Sequence, residues 1–376
     1  MHSSGRWSGD SWTAREIGQQ PATWLRVAEV VRRARPGIAE LVGDGRRRIV
    51  LTGAGTSAFV GEVVARDLAR RLGRPVEAIA TTEIVADPAG VVVDDRPILL
   101  VSFARSGNSP ESVAAADLLH RLTPGLRHLV ITCDSGGQLA RRWSGAANAV
   151  VVALPEEVND RGFAMTSSFT GMALAALLAF GVDVDVAALA RAGSTVLGDA
   201  AEHAAAIAGA KPARLVFLGS GPLRGLAREA ALKCLELTRG EVVGLADSAL
   251  GFRHGPKSVL DERTVAVIFL STEPHTRAYD VDIARELVQS LGEERVVVVG
   301  GEADGEFGGA RSWPVPVPAG LPVAGYALLA VIAAQTTALA CSLALGITPD
   351  NPFPEGEVNR VVQGVVIHDF EPPEVG

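Results

Sequence analysis

The amino-acid sequence predicts an α/β protein of two doubly wound parallel-sheet domains in tandem, with a helical segment before them and a tail behind. Three observations lead there. First, an apolar run ending in Gly-X-Gly occurs twice, as IVLTGAG at 49–55 and LVFLGSG at 215–221, an offset of 166 residues. Two more pairs follow at nearly the same offset: RPILLVSFARSG (96–107) with RTVAVIFLSTEP (263–274), and LRHLVITCDS (126–135) with ERVVVVGGEA (294–303). Second, these runs are nearly continuous Val, Ile and Leu, as strands covered on both faces require. Third, helical stretches such as 61–70, 110–122, 227–236 and 276–291 lie between them, and parallel neighbours need such crossovers.

The elements divide the chain in order. A helical N-terminal segment, helical from about 13 to 44, occupies 1–45; the first α/β domain takes 46–190, the second 191–345, and a tail 346–376. The seam between the halves is expected near 182–195. The tail begins after a long apolar stretch and carries the Pro/Asn/Gly-rich run TPDNPFPEGEVNR. The stretch 326–347, YALLAVIAAQTTALACSLALGI, is long enough to span a membrane. Gln335, Thr336, Thr337 and Ser342 interrupt it and it stands alone, so a buried helix of a soluble protein is expected.

Composition narrows the function. A net charge of −8 and an aromatic content of 5% argue against a nucleic-acid partner, which calls for a basic face or stacking platforms. Cys133, Cys234 and Cys341 are too few and too scattered for a disulfide framework or a zinc site, which fits a reducing cytoplasm. The first residues hold no apolar core for a signal peptide. The histidines show no metal-ligand spacing, so no metal and no cofactor are expected.

Five segments carry possible chemistry. Gly53-Ala54-Gly55-Thr56-Ser57 sits at a strand-to-helix turn, where free N–H groups suit an anion; a plain tight turn explains it equally well. Ala104-Arg105-Ser106-Gly107-Asn108-Ser109-Pro110 also opens a helix, and capping accounts for Ser109-Pro110 but not for the further hydroxyl and Arg105. The matching place in the second half carries Glu273, which repels an anion, so phosphate is expected only in the first half. The run Thr166-Ser167-Ser168-Phe169-Thr170 has more hydroxyls than a cap needs, which suggests ligand contact. On the helix after Gly221-Pro222, Glu229, Lys233 and Glu236 share one stripe beside an apolar face. That stripe is either a set of surface ion pairs or a partly buried carboxylate tuned by a lysine. Finally, His254 stands in a loop beside Gly255-Pro256, a candidate for acid/base work.

Taken together and in this order, Gly55-Thr56-Ser57, Arg105-Ser106-Gly107, Ala231-Leu232-Lys233 with Glu236, and His254-Gly255-Pro256 resemble the sugar isomerase (SIS) superfamily. The pattern is that of a tandem SIS protein, similar to the isomerase half of glucosamine-6-phosphate synthase. The phrases SFARSGNSPES, FAMTSSFTG, LGFRHGPKS and TPDNPFPEGEVNRVVQG, with TAREIGQQP near the start, resemble the galactosamine-6-phosphate deaminase/isomerases, also called tagatose-6-phosphate ketose/aldose isomerases. The resemblance implies that Gly55, Thr56, Ser57, Arg105, Ser106 and Ser109, helped by Thr166 and Ser167, bind the sugar phosphate. It implies that Glu236 shuttles a proton between C1 and C2, that Lys233 tunes it, and that His254 opens the ring from the partner subunit. The chain departs from the synthase in having Ala104 where the phosphate loop begins with Ser, and in offering Arg360 and Gln363 where the synthase has a C-terminal lysine. A nucleophilic N-terminal Cys for a glutaminase is missing, since residue 2 is His.

The implied function is an isomerising deaminase of an amino-sugar 6-phosphate, giving tagatose 6-phosphate and ammonia from galactosamine 6-phosphate. A ketose/aldose isomerase of neutral hexose phosphates is the alternative, and a non-catalytic sugar-phosphate sensor a lesser one. A cytoplasmic homodimer or higher homo-oligomer with shared sites, without nucleic acid or membrane partners, is expected.

Overall fold

The computed structural model describes residues 11–43, 45–301 and 305–371. The first ten residues of the expected helical segment, the end of the 294–303 run and the last five residues of the tail lie outside them. Among the described residues, ten strands form two five-stranded sheets, and every pairing is parallel. The first sheet holds β1 (Arg48–Thr52), β2 (Val76–Ala78), β3 (Ile98–Ala104), β4 (Arg127–Thr132) and β5 (Ala149–Ala153), in the order β2-β1-β3-β4-β5. The second holds β6 (Arg214–Leu218), β7 (Val243–Asp247), β8 (Thr264–Phe269), β9 (Val296–Val299) and β10 (Arg311–Trp313), in the order β10-β9-β8-β6-β7. Read from its β7 edge, the second sheet repeats the order of the first. The three pairs of apolar runs are β1 with β6, β3 with β8 and β4 with β9.

Each sheet gains two strands beyond the three paired runs, and of these only β5, AVVVA, is an apolar run. β2 and β10 are three residues long, and β2, β5 and β7 are mostly half-exposed. Strands such as β2, β7 and β10, at or near a sheet edge, do not need the unbroken Val/Ile/Leu run by which a central strand is recognised.

Helix Trp12–Val42 opens with Ser11, whose side chain accepts a hydrogen bond from the Ala14 N–H at 3.2 Å. It packs on helices Ser167–Ala179 and Val186–Gly209. Residue 190, the expected domain boundary, lies inside the latter helix. One continuous apolar core joins residues of both sheets with these helices.

The membrane-length stretch is helix Val323–Ala344, buried inside the protein against helices Val186–Gly209 and Pro222–Leu237. A helix enclosed on all sides is apolar all round. Its Gln335 accepts a hydrogen bond from Gln20 Nε2 at 2.8 Å, and Gln20 Oε1 in turn accepts from the Thr170 hydroxyl at 2.8 Å. Trp24 donates to the same hydroxyl at 3.0 Å. This chain of buried partners is what the polar interruption of the apolar stretch serves.

Candidate active site

In a doubly wound sheet the crevice forms at the carboxyl ends of the strands where the winding reverses. In the first sheet that point lies between β1 and β3. The loops leaving these two strands, Ala54 to Ser57 and Arg105 to Ser109, line one cavity of about 210 Å³. Gly53 and Gly55 shape the first loop. A Cβ on Gly53 would stand 2.6 Å from the Ser57 backbone, and Gly55 has φ +55°, a left-handed conformation that disfavours side chains. Helix Thr56–Leu72 starts there and helix Pro110–Leu122 starts after Ser109, so two helix N-termini, the positive ends of their dipoles, open on the same crevice. Ser109 is the N-cap residue, yet its hydroxyl makes no capping bond. The Ser106 hydroxyl accepts only a long 3.3 Å bond from the Asn108 N–H.

Arg105 is buried at the cavity wall. Its Nη1 donates to the Phe163 carbonyl at 3.0 Å and its Nη2 to the Arg360 carbonyl at 2.7 Å. Burial, and after it the Arg360 guanidinium, lower its pKa from the ordinary arginine value. The tail closes the opposite side, with Val358, Asn359, Arg360 and Val362 lining the cavity.

The carboxylate in this cavity is Glu236, from the helix Pro222–Leu237 of the other half. It accepts a hydrogen bond from Lys233 Nζ, and Glu229 Oε1 lies 3.6 Å from the same nitrogen. Lys233 and Glu229 are fully buried, while Glu236 keeps about a quarter of its side chain exposed, 24%. Burial opposes the charge on Lys233, but the Glu229 and Glu236 carboxylates outweigh it and raise its pKa. Burial pushes the Glu229 carboxyl up, against the pull of Lys233. The stripe is therefore no surface ion-pair set: a buried ammonium fixes a partly accessible carboxylate at the cavity edge. The Thr56 hydroxyl faces Glu229, and neither makes a hydrogen bond of ordinary length.

The structure thus brings Gly55, Thr56, Ser57, Arg105, Ser106, Ser109 and Glu236 to one cavity, with Lys233 directly behind. Thr166 and Ser167, expected as further phosphate contacts, do not line this cavity, and their hydroxyls are bonded inside the protein. Thr166 Oγ1 donates to Asp160 at 2.9 Å, and Ser167 Oγ donates to the Glu16 carbonyl at 2.7 Å. The surplus of hydroxyls ties helix Ser167–Ala179 to Asp160 and to the N-terminal helix, and Met165 lines the cavity instead. Asp160 has no local sequence signature, because a carboxylate seven residues before the first residue of a helix is outside every short capping pattern.

Glu16 holds the other end of this loop, accepting from the Arg161 and Gly162 N–H groups. Burial, then the negative Asp160, push its carboxyl from 4.5 up to about 7. An acid whose pKa is raised by folding stabilises the fold fully below its unfolded value and loses that contribution as pH rises through the folded value. Unfolding free energy in urea is therefore expected to drop between about pH 5 and about pH 8 more in the wild type than in Glu16→Gln. An equal drop in both would show that Glu16 does not titrate this way.

His254 does not line the Glu236 cavity. It is exposed, between the short 3-10 turns Gly251–Arg253 and Pro256–Val259. Arg253 Nε and Lys257 Nζ both bond Glu286, which fixes the loop on helix Pro274–Leu291.

The second sheet has its own crevice at the equivalent point between β6 and β8, a cavity of about 250 Å³ lined by Ser220, Gly221, Ser271 and Glu273. Here helix Thr56–Leu72 provides Arg66 and Arg70. At the offset of 166 residues Arg70 matches Glu236, and Asp67 matches Lys233. Asp67 is buried and accepts from Arg70 at 2.7 Å, so the pair has the same geometry with opposite signs. Among the described residues no group of three or more His, Cys, Asp or Glu is placed to hold a metal ion.

Comparison with known proteins agrees with this architecture. The SIS domain family matches residues 45–181, the first sheet with its helices. The AgaS protein of Streptomyces coelicolor is 53% identical over 367 residues, 95% of each chain. The D-galactosamine-6-phosphate deaminase AgaS of Escherichia coli is 42% identical over 372 residues, 96% of each chain. The crystal structure of tagatose-6-phosphate ketose/aldose isomerase from Escherichia coli superposes with a TM-score of 0.88 at 37% identity, covering 96% of this chain and 98% of the other. The chain belongs to the AgaS family of SIS-domain proteins.

Proposed function

We propose that the protein is an isomerising deaminase that converts galactosamine 6-phosphate and water to tagatose 6-phosphate and ammonia. The observation that carries this reading is the meeting, in one cavity, of two helix N-termini from the first half and Glu236 from the second. The first pair suits a phosphate. The Glu236 carboxylate suits a proton transfer beside it. It removes the C2 proton of the open-chain aldose and returns it to C1, leaving an imine at C2. Water adds to that carbon and ammonia leaves, so the sequence is redox-neutral. The E. coli deaminase name and the extent of the match support the substrate. The experiment is incubation with galactosamine, glucosamine, their N-acetyl forms and neutral hexose 6-phosphates, scored for ammonia and ketose. Ammonia from galactosamine 6-phosphate is the expected result. Interconversion of neutral hexose phosphates without ammonia would replace the reading by the ketose/aldose isomerase one, which the name of the E. coli crystal structure favours.

His254 is read as the ring-opening group of a neighbouring subunit's site, since it is exposed and outside its own chain's Glu236 cavity. A two-fold dimer is the simplest closed assembly that exchanges such a residue. Mixing inactive Glu236→Gln and His254→Ala proteins is expected to restore up to about a quarter of the wild-type ammonia release, because random pairing yields mixed dimers with one intact site. No recovery after proven subunit exchange would refute the shared site. The three cysteines are free and buried, in keeping with a cytoplasmic enzyme.

A further inference from the structure

The tail crosses the cavity in a held position. Asp350 accepts hydrogen bonds from the Trp12 and Thr13 N–H groups at 2.7 and 2.8 Å and from the Thr13 hydroxyl at 2.8 Å, pinning the tail to the start of the first helix. Ten residues on, the Arg360 carbonyl accepts from Arg105. Arg105 thus spends its two outer nitrogens on the carbonyls of Phe163 and Arg360, joining the loop and the tail. Arg360 lines the same cavity, and among the described residues no carboxylate pairs with its guanidinium. The one carboxylate in the cavity lining, Glu236, is already engaged by Lys233. The cavity therefore holds two guanidinium groups close enough for Arg360 to weaken the protonation of Arg105, with no free anion between them. A dianionic group removes that repulsion, and a guanidinium fork matches its oxygens.

We propose that Arg360 is a substrate-binding residue: its guanidinium, carried over the cavity by the tail, takes the phosphate of the bound sugar phosphate, while Arg105 is the bracket that positions the tail. This rests on the sugar-phosphate reading above for the identity of the substrate, but not for the anion itself. The two therefore separate experimentally. Inorganic phosphate binding is measured by calorimetry for the wild type, Arg360→Gln and Arg360→Lys, alongside steady-state kinetics on galactosamine 6-phosphate. Loss of one charge-assisted contact is expected to weaken inorganic phosphate by about 10- to 100-fold in Arg360→Gln. KM should rise by a similar factor with kcat close to wild type, because the phosphate does not change between ground and transition state. Arg360→Lys keeps the charge without the fork and is expected to fall between the two. Arg360 is exposed and its carbonyl is untouched by the change, so both variants should melt with the wild type. Wild-type phosphate affinity in Arg360→Gln, a loss of kcat alone, or a wild type that binds no inorganic phosphate overturns the proposal. A wild type that releases no ammonia while Arg360→Gln still loses phosphate would sink the functional reading and leave this one standing.

Discussion

Glu236→Gln should lose ammonia release by about 10²- to 10⁴-fold, the usual contribution of a positioned acid/base group. The amide keeps the size of the side chain and cannot take the C2 proton. The variant is expected to fold, because the new amide oxygen can still accept from Lys233 and Glu229 Oε1 stays 3.6 Å from the same nitrogen in the buried stripe. Inorganic phosphate should bind nearly as in the wild type, since the two helix N-termini and the tail are untouched. Coupled assay of ammonia and calorimetry with phosphate give both numbers on one preparation. Ammonia release at the wild-type rate would show that the carboxylate in this cavity is a bystander.

The largest stability effect is expected at Asp160, which lies behind the cavity. Its carboxylate is buried and accepts five hydrogen bonds: the N–H groups of Thr166, Ser167 and Ser168, and the hydroxyls of Thr166 and Ser168. Asparagine has the same shape but one acceptor oxygen and an NH2 that faces donors. At least two buried donors then lose their partner, and Asp160→Asn should lower the unfolding free energy on the order of 3–5 kcal/mol. Because the loop from Asp160 to Thr166 carries the Phe163 carbonyl that Arg105 grips, KM for the sugar phosphate should rise as well. Urea unfolding checks the first effect and steady-state kinetics the second. A change within about 0.5 kcal/mol, typical of surface positions, would mean that the network carries no such weight.

The residues that could be read from the sequence are those whose job is local. The Gly55 and Ser106 turns follow apolar strands directly, and the Glu229–Lys233–Glu236 stripe follows from helical periodicity alone, so all were visible. The duplicated strands β1/β6, β3/β8 and β4/β9 were visible for a related reason: a central strand writes its burial into consecutive residues. The bonds of Thr166 and Ser167 to the interior were not legible because a hydroxyl-rich helix start looks the same whether it faces a ligand or a buried carboxylate, and Asp160 is outside any short motif. Gln335 looked like an interruption of an apolar stretch, while its partner Gln20 is 315 residues away. Asp350 reaches Thr13 over a similar gap, 337 residues, and no periodicity records such a contact.

The opposite-sign pairs Lys233–Glu236 and Asp67–Arg70 show what covalent duplication permits. In an assembly of two identical half-length chains, any helix position would appear in both crevices, and a carboxylate placed for proton transfer in one would be imposed on the other. Joining the halves in one chain makes the two positions independent. One crevice keeps a carboxylate above a buried cation, and its sibling carries a cation above a buried acid. Each helix lends its far end to the other half's turn, so neither half lines its crevice alone: the asymmetry here is a broken two-fold symmetry within a single polypeptide.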